Sequence, residues 1–185
     1  KKNLKNRQKA IFLDRDGTIN KYKGFINNAD DIELINGVSE AIKKINSSEY
    51  LTIVITNQPV IARGECTIEE LNNIHEKLKY LLGLDGAYID DIFYCPHHPD
   101  IGFDGEIKEL KIKCTCRKPD NGLLLEASDK YNIDFGNSYM VGDSIIDMQA
   151  GEKSGCKSYL ISEHTSNKAN VFSNLNNCID FIFSE

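Results

Sequence analysis

Short, almost continuous apolar runs recur along the chain and predict strands that are buried on both faces. Residues 9–14 (KAIFLD) and 51–56 (LTIVIT) are such runs, and neither shows the strict alternation of a half-exposed strand. Similar segments follow later in the chain. We predict strands over residues 9–14, 51–56, 87–94, 138–143 and 157–162.

Helical patterns fill the intervals between these runs. An apolar i, i+3, i+4, i+7 pattern begins at Val38, and a second helix is opened by Thr67 and Glu70, which form the T-x-x-E pattern of a capping box. Gly83 stands where a glycine ends many helices, so we predict that this helix ends there. Further helices are predicted over residues 121–131 and 145–153, whereas residues 95–118 have no helical period and are predicted to form a loop or small subdomain.

The alternation of strands and helices predicts an α/β fold with a central parallel sheet. In such sheets ligands bind at the carboxyl ends of the strands. The polar residues directly after each predicted strand are therefore the candidates for chemistry.

Composition narrows the classes of protein. The chain has 185 residues, 41% hydrophobic and 27% charged, which suits one globular domain rather than a disordered or fibrous chain. The net charge of −6 argues against a general nucleic-acid binder. No apolar run approaches the roughly 18 residues of a membrane span. We expect residues 1–8 to be a basic tail or linker without a signal peptide, residues 9–185 to form a single domain, and the protein to be cytoplasmic.

Four polar motifs follow strands or precede helices. Asp14 and Asp16 flank Arg15 after the first strand, Thr56-Asn57-Gln58 ends the second, and Arg117-Lys118 precedes the helix at 121. The fourth motif contains Asp143 and Asp147, one helical turn apart. Each motif alone also fits a polar turn or a solvated surface. Together, and in this order, they indicate a reaction site.

The residue types in these motifs suit phosphoryl transfer. A carboxylate nucleophile can form an aspartyl-phosphate, and a second carboxylate can donate and accept a proton. Clustered carboxylates bind hard cations such as Mg²⁺. A threonine hydroxyl and a lysine can hold the oxygens of the transferring group.

The pattern D-x-D-G-T, T-N, K and G-D-x-x-x-D over residues 9–162 resembles the haloacid dehalogenase (HAD) superfamily of phosphohydrolases. The resemblance implies a HAD-like three-layer fold with a central parallel sheet and a minimal cap. It implies that Asp14 is the nucleophile and that Asp16 is the general acid/base.

The same resemblance implies the remaining roles at the site. Mg²⁺ would be held by the carboxylates of Asp14 and Asp143 and by the backbone carbonyl of Asp16. Thr56 and Lys118 would bind the transferring phosphoryl group. Asp147 would support the site by orienting Lys118.

Cysteine and histidine cluster in the irregular region near residues 95–116. Cys95, Cys114 and Cys116, with His97 or His98, form a Cys₃His set that suits a structural tetrahedral Zn²⁺ with no open position for water. Scattered reduced thiols are the alternative. A bound metal would order the long loop and place the adjacent lysine. The other three cysteines, Cys66, Cys156 and Cys178, are expected to be free thiols.

The segments CPHHP and CTCRKP, joined to the motifs above, resemble the D-glycero-D-manno-heptose-1,7-bisphosphate 7-phosphatases and their histidinol-phosphate phosphatase relatives. The resemblance chooses His97 as the zinc ligand. It implies a sugar bisphosphate as the substrate, with histidinol phosphate as the alternative. It also implies substrate contacts at Tyr22, Lys23, Gly24, Phe25, Asn57, Gln58, Arg63 and Arg117.

The chain departs from this family in two places. Pro59-Val60 replaces the common serine and glycine, which removes a backbone donor and glycine's conformational freedom. The loop between His97 and Cys114 is longer than in the stand-alone enzymes. Both features resemble versions fused behind a sugar nucleotidyltransferase domain, so we keep a fused or partnered transferase as an expectation, and otherwise expect a monomer. A non-catalytic domain of such a fusion is the alternative of another class, which the presence of both Asp14 and Asp16 disfavours.

Overall fold

A computed structural model describes residues 5–164 and 170–184 of the chain. Six parallel strands form one sheet in the order β3-β2-β1-β4-β5-β6. Apolar side chains fill both faces of its central strands, as the continuous runs predicted. The strands are β1 (Lys9–Leu13), β2 (Tyr50–Asn57), β3 (Asp91–Cys95), β4 (Tyr139–Gly142), β5 (Lys157–Ile161) and β6 (Val171–Phe172).

Helices cover both faces of the sheet. One face carries the core in which α1, α2 and α5 pack, and the other carries the core that includes α3 and α4. In β1, Ile11 and Leu13 belong to the first core while Ala10 and Phe12 belong to the second. The helices are α1 (Val38–Asn46), α2 (Ile68–Leu84), α3 (Gly122–Tyr131), α4 (Ile145–Ser154) and α5 (Leu175–Ile182).

The order of the strands places a switch point at β1. The chain builds β2 and β3 on one side of β1 and then crosses to place β4 on the other side. The connections after β1 and β4 therefore lead to opposite sides of the sheet. The loops after β1, β2 and β4 lie at the same edge, which is where such folds bind ligands. Three of the four polar motifs lie at the ends of these strands, and the fourth, Arg117-Lys118, precedes α3.

The predicted elements are present, and most of their ends differ by only one or two residues. The third strand is shorter than predicted, because residues 87–90 precede the pairing that begins at Asp91. The predicted end of α2 at Gly83 is wrong. Gly83 lies inside the helix, the cap residue is Asp85, and Gly86 adopts the left-handed conformation at φ 78°.

The tail carries elements that the sequence pattern left open. Strand β6 extends the sheet beyond β5, and α5 begins at the cap residue Asn174, whose side chain accepts from the backbone N–H of Asn177. At the other end, Gln8 exchanges backbone hydrogen bonds with Asn132 and Asp134, while residues 1–4 of the predicted tail lie outside the described part. Within that part, no helix is long and apolar enough to cross a membrane.

Candidate functional site

Lys118 and Asp14 meet at the carboxyl edge of the sheet. Asp14 directly follows β1, and its Oδ1 lies 2.6 Å from the Lys118 Nζ. The same ammonium donates to the Ile55 carbonyl at 2.7 Å and lies 2.6 Å from Asp147 Oδ1. Lys118 is 2% exposed, so three oxygen atoms of the protein fix a buried charge beside the candidate nucleophile.

Burial and neighbouring charges shift the pKa values of the ionisable groups at this edge. Burial raises the pKa of Asp14 to about 6 and outweighs the attraction of Lys118. Desolvation, followed by the charge of Asp14, raises the pKa of Asp143 to about 6. Burial alone would lower the pKa of Lys118, but Asp14 and Asp147 outweigh it and the pKa is raised. A carboxylate cluster with these shifts favours binding of another cation.

The carboxylates are close enough to share such a cation. Oxygen atoms of Asp14, Asp143 and Asp147 all lie within 4.8 Å of one another. Gly17 permits this approach, because a Cβ atom at that position would stand 2.0 Å from Asp143 Oδ2. Gly17 also has a φ of 84°, which side chains rarely adopt. The oxygen-only donor set fits a hard divalent ion such as Mg²⁺.

Asp147 is held by the first turn of α4. Its Oδ2 accepts from the Ser144 backbone N–H at 3.1 Å, and the Ser144 hydroxyl accepts from Ile146 at 3.4 Å. A Cβ at Gly142 would lie 2.2 Å from Asp147 Oδ2, so the glycine of the G-D-x-x-x-D motif gives this carboxylate its space. With one oxygen on the helix cap and the other on Lys118, Asp147 supports the lysine.

The Asp16 carboxylate is surrounded by donors. Its Oδ1 accepts from Asn20 at 2.9 Å and from Arg15 at 3.0 and 3.2 Å. Its Oδ2 accepts from Arg15 and from the Gln58 amide, each at 2.9 Å. Arg15 is completely buried. The sequence does not reveal this role of Arg15, because a residue between two aspartates gives no sign of where its side chain points.

Residues at the end of β2 bind protein groups as well as facing the site. The Asn57 amide donates to the Lys118 carbonyl at 3.1 Å and accepts from the Lys118 N–H at 3.0 Å. The Thr56 hydroxyl is buried and accepts from Gln58 Nε2 at 2.9 Å. Asn57 thus fixes the backbone of Lys118, a contact that sequence separation concealed.

A cavity of about 300 Å³ contains the reactive groups. It joins Asp14, Asp16, Thr56, Lys118 and Asp143. A neighbouring cavity of about 740 Å³ shares Tyr22 and Asp143 with it, which leaves room for a ligand larger than a phosphoryl group. The predicted substrate contacts that line the smaller cavity are Tyr22, Gly24, Phe25, Asn57, Gln58 and Arg117.

Two predicted contacts are absent from the described lining of that cavity. The Lys23 ammonium pairs with Glu33 at 2.9 Å. The Arg63 guanidinium lies 4.7 Å from the ring centroid of Phe25 and pairs with Glu65 at 2.8 Å. Phe25 therefore stands between Arg63 and the cavity that it lines.

The second candidate metal group lies after β3. The side chains of Cys95, His97, Cys114 and Cys116 place their ligand atoms within 4.8 Å of one another. Contact distances among them run from 3.0 Å, between Cys116 and Cys95, to 3.6 Å. A tetrahedral zinc with bonds of about 2.0–2.3 Å separates its ligands by about 3.5–3.8 Å. The closest sulfur pair is far too long for a disulfide of about 2.05 Å.

Neighbouring contacts distinguish the two histidines. His97 directs Nδ1 into the cluster, 3.2 Å from Cys116 Sγ. His98 instead accepts from the Asp100 N–H through Nδ1. The structure thus selects His97 for the cluster, in agreement with the resemblance. The remaining cysteines, Cys66, Cys156 and Cys178, are buried free thiols.

The metal-type cluster touches the reactive edge through the backbone. Gln58 donates its N–H to the Cys95 carbonyl at 2.8 Å, and Arg117 donates from Nη1 to the His97 carbonyl at 3.3 Å. Lys118 is two residues beyond Cys116. The position of the cluster therefore bears directly on the positions of Arg117 and Lys118.

Known proteins resemble the chain in sequence and in fold. A HAD-hydrolase-like family model matches residues 115–181. The D-glycero-beta-D-manno-heptose-1,7-bisphosphate 7-phosphatase of Yersinia pestis is 43% identical over 141 residues, covering 76% of this chain and 73% of that enzyme. The enzyme of the same name from Haemophilus ducreyi is 40% identical, covering 83% of this chain and 82% of its own length.

A solved structure matches nearly the whole chain. The D,D-heptose 1,7-bisphosphate phosphatase of B. bronchiseptica, solved with magnesium and phosphate, is 30% identical with a TM-score of 0.81. The match covers 96% of this chain and 99% of that one. The likeness confirms the expected HAD-like α/β architecture around a parallel sheet.

Proposed function

Because the chain belongs to the heptose-1,7-bisphosphate 7-phosphatase family of HAD hydrolases, we propose that it removes the 7-phosphate of D-glycero-D-manno-heptose 1,7-bisphosphate. The observation that carries the assignment to this chain's own residues is the buried contact of Lys118 with Asp14 and Asp147, beside Asp143. This arrangement combines a nucleophile with a fixed cation at one phosphoryl-sized position.

The reaction proceeds in two displacements. A carboxylate oxygen of Asp14 attacks the 7-phosphorus in line, while Asp16 gives its proton to the departing sugar oxygen. Asp16 then accepts a proton from water, and the resulting hydroxide attacks the phosphorus of the aspartyl-phosphate. The P–O bond to Asp14 breaks and inorganic phosphate leaves. Thr56 and Lys118 bind the non-bridging oxygens, on which charge changes during each displacement.

The donor set at the edge supports Mg²⁺ as the cofactor. Asp14 and Asp143 would hold the ion with their carboxylates and Asp16 with its backbone carbonyl. The ion supplies charge neutralisation for the phosphoryl oxygens when bound. Asp147 contributes through Lys118 and the helix cap, since both of its oxygens are occupied there.

The sulfur-rich cluster supports a structural Zn²⁺. Three thiolates and one imidazole, which lie within 4.8 Å of one another, would supply all four ligands of such an ion and would leave no position for a reacting water. The metal would hold residues 95–116 together and fix Arg117 and Lys118 next to Asp14. Its contribution is to stability and to the placement of these two residues.

Arg117 supports recognition of the second phosphate. It lines the cavity, and its one hydrogen bond among the described contacts goes to a backbone carbonyl rather than to a carboxylate. A guanidinium placed in this way can bind phosphate through two N–H groups. Tyr22, Gly24 and Phe25 would contact the sugar from the opposite loop. We assign Arg63 and Lys23 no direct contact.

The proposal extends to the domain, the partners and the location of the protein. Residues 9–185 act as one phosphatase domain on a small sugar bisphosphate, independently of nucleic acid and membranes, as a monomer in the cytoplasm. The Pro59-Val60 sequence, with the long loop between His97 and Cys114, is the basis for the expected relation to versions fused or partnered with a sugar nucleotidyltransferase.

Phosphate release tests the proposal. The purified protein with Mg²⁺ is compared on both anomers of the heptose bisphosphate and on histidinol phosphate, and the heptose substrate should have the higher kcat/KM. Asp14→Asn, the nucleophile variant, should lose at least about 10³-fold of the activity. Preference for histidinol phosphate overturns the substrate, and near-wild-type turnover by the variant overturns the mechanism.

A further inference from the structure

The side chains of Arg15 and Gln58 form a buried frame around the Asp16 carboxylate. Arg15 is 0% exposed and Gln58 is 2% exposed. Arg15 reaches both carboxylate oxygens with Nε and Nη2, and the same Nη2 donates to Gln58 Oε1 at 3.0 Å. Gln58 in turn donates to Asp16 at 2.9 Å, so the three side chains close a ring of hydrogen bonds.

The frame also reaches a phosphoryl-binding residue. Gln58 Nε2 donates to the Thr56 hydroxyl at 2.9 Å as well as to Asp16. One amide therefore sets the distance between the group that binds the phosphoryl oxygens and the group that transfers protons. Its side-chain oxygen and nitrogen are both engaged with protein, which disfavours the expected substrate contact for Gln58.

Stability alone gives no physical reason to bury the guanidinium of Arg15. A buried guanidinium loses several kcal/mol of hydration, and replacing buried ion pairs by apolar groups is often neutral. The Arg15 Nη1 atom has no partner among the described contacts, which adds to that cost. What the guanidinium provides is geometry: its fork holds a carboxylate in one orientation.

We propose that Arg15 and Gln58 are positioning residues for proton transfer, which hold Asp16 at the orientation needed to protonate the leaving oxygen and to activate water. The inference rests on the acid–base role of Asp16 in the proposed function. Neither residue touches the substrate. Their loss should slow the steps that need a positioned proton and leave substrate binding almost unchanged.

Single-turnover kinetics with two substrates tests this role. Heptose bisphosphate has an alkoxide leaving group that needs a proton, whereas p-nitrophenyl phosphate has a leaving group that needs none. With enzyme in excess, Arg15→Met and Gln58→Met should slow sugar release by about 10- to 100-fold. Release of p-nitrophenolate should change by less than about 3-fold, as should KM for the sugar.

A double-mutant cycle separates positioning from general damage. In the Asp16→Asn background, Arg15→Met should cause less than about 3-fold further loss, because its effect passes through the missing carboxylate. Equal slowing of both substrates, or a full additional loss in that background, overturns the inference. If Arg15→Met does not fold, the same comparisons with Gln58→Met decide the question.

A matched control comes from the opposite end of the sheet. The Asn46 amide also bridges three groups, the Thr52 hydroxyl and the backbone N–H and C=O of Tyr88. Asn46→Leu should lower thermal stability while leaving both single-turnover rates unchanged. Wild-type turnover and the Asp14→Asn loss test the proposed function separately, so a failure there is distinguishable from a failure of the positioning role.

Discussion

The aspartate edge and the cysteine–histidine cluster are two metal-type groups of opposite design. The edge offers only oxygen atoms, from Asp14, Asp143 and Asp147, and it opens into a cavity. The cluster offers three sulfurs and a nitrogen, which lie within 4.8 Å of one another. Oxygen ligands in an open site suit a cation that takes part in chemistry, whereas closed thiolate sites suit a cation that holds a fold.

One short segment, residues 116–118, connects the cluster to the aspartate edge. The last ligand of the cluster, Cys116, lies only two positions before Lys118, whose ammonium contacts the aspartate edge. A metal ion bound in the cluster would therefore also restrain the position of Lys118. Substitutions in each group test two points. The first is whether the groups have different functions, and the second is whether the cluster positions Lys118.

Removing a cluster ligand should have the largest effect. Cys114→Ser should lose bound zinc and lower the free energy of unfolding on the order of 5 kcal/mol, because zinc binding contributes directly to folding. Metal analysis and chemical denaturation measure both quantities. Cys178→Ser, at a buried thiol outside the cluster, should keep about one zinc per chain. Active, folded protein without zinc would contradict the structural role.

Lys118→Met should affect both properties at once. The change leaves Asp14 and Asp147 buried without the ammonium that lies 2.6 Å from each. We expect a loss of about 3–5 kcal/mol in stability without added metal and about 10²- to 10³-fold in kcat. Lys130→Met, which removes the surface pair with Asp91 and the ammonium's contacts with the rings of Phe93 and Tyr131, is the control. An unchanged denaturation midpoint would show that the buried contacts are not held in solution.

Asp143→Asn should separate chemistry from stability. It removes a charge from the crowded edge, where the pKa of Asp143 is already raised to about 6, so the melting temperature should stay the same or rise. Activity should fall by about 10²-fold or more, and more Mg²⁺ should be needed for half-maximal rate. Asp120→Asn, at a surface pair with Lys153, should change neither property. A large loss of stability in Asp143→Asn would contradict the assignment of Asp143 to chemistry rather than to stability.

His75 should contribute a pH effect that belongs to neither group. Burial, followed by the Arg15 charge, lowers the pKa of His75 from 6.5 to about 3. Between these values the unfolded chain binds more protons, so the stabilisation is complete above pH 6.5 and is lost as pH falls toward 3. His75→Leu should reduce that acid loss by a few kcal/mol in denaturation curves at pH 7 and 4.

Substitutions of the two arginines near the site should have the smallest effects, which differ in how far they raise KM. Arg117→Ala should raise KM for the bisphosphate by about 10-fold or more, because this guanidinium lines the cavity. Arg63→Ala should change KM by only about 2- to 5-fold through its stacking on Phe25. Steady-state kinetics on the bisphosphate compares them. The reverse order would restore Arg63 as the phosphate contact.

The fold class and most site residues could be predicted because they depend on local pattern. Continuous apolar runs are required wherever a sheet is covered on both faces, and motif residues follow strands by fixed offsets. Short elements with weak patterns, such as β6 and α5, could not be predicted in the same way. The misassigned Gly83 shows a related limit, since packing of Leu82 in the core extends α2 past a glycine that could have ended it.

By itself, the sequence determined the order of the strands and helices along the chain, the carboxylates at their ends and the Cys₃His set. Only the tertiary structure decided which donors each side chain meets. It buries Arg15 against Asp16 and stacks Arg63 on the ring of Phe25. The physical reason is that periodicity reports which face a residue occupies, whereas its partners come from distant segments that packing brings together.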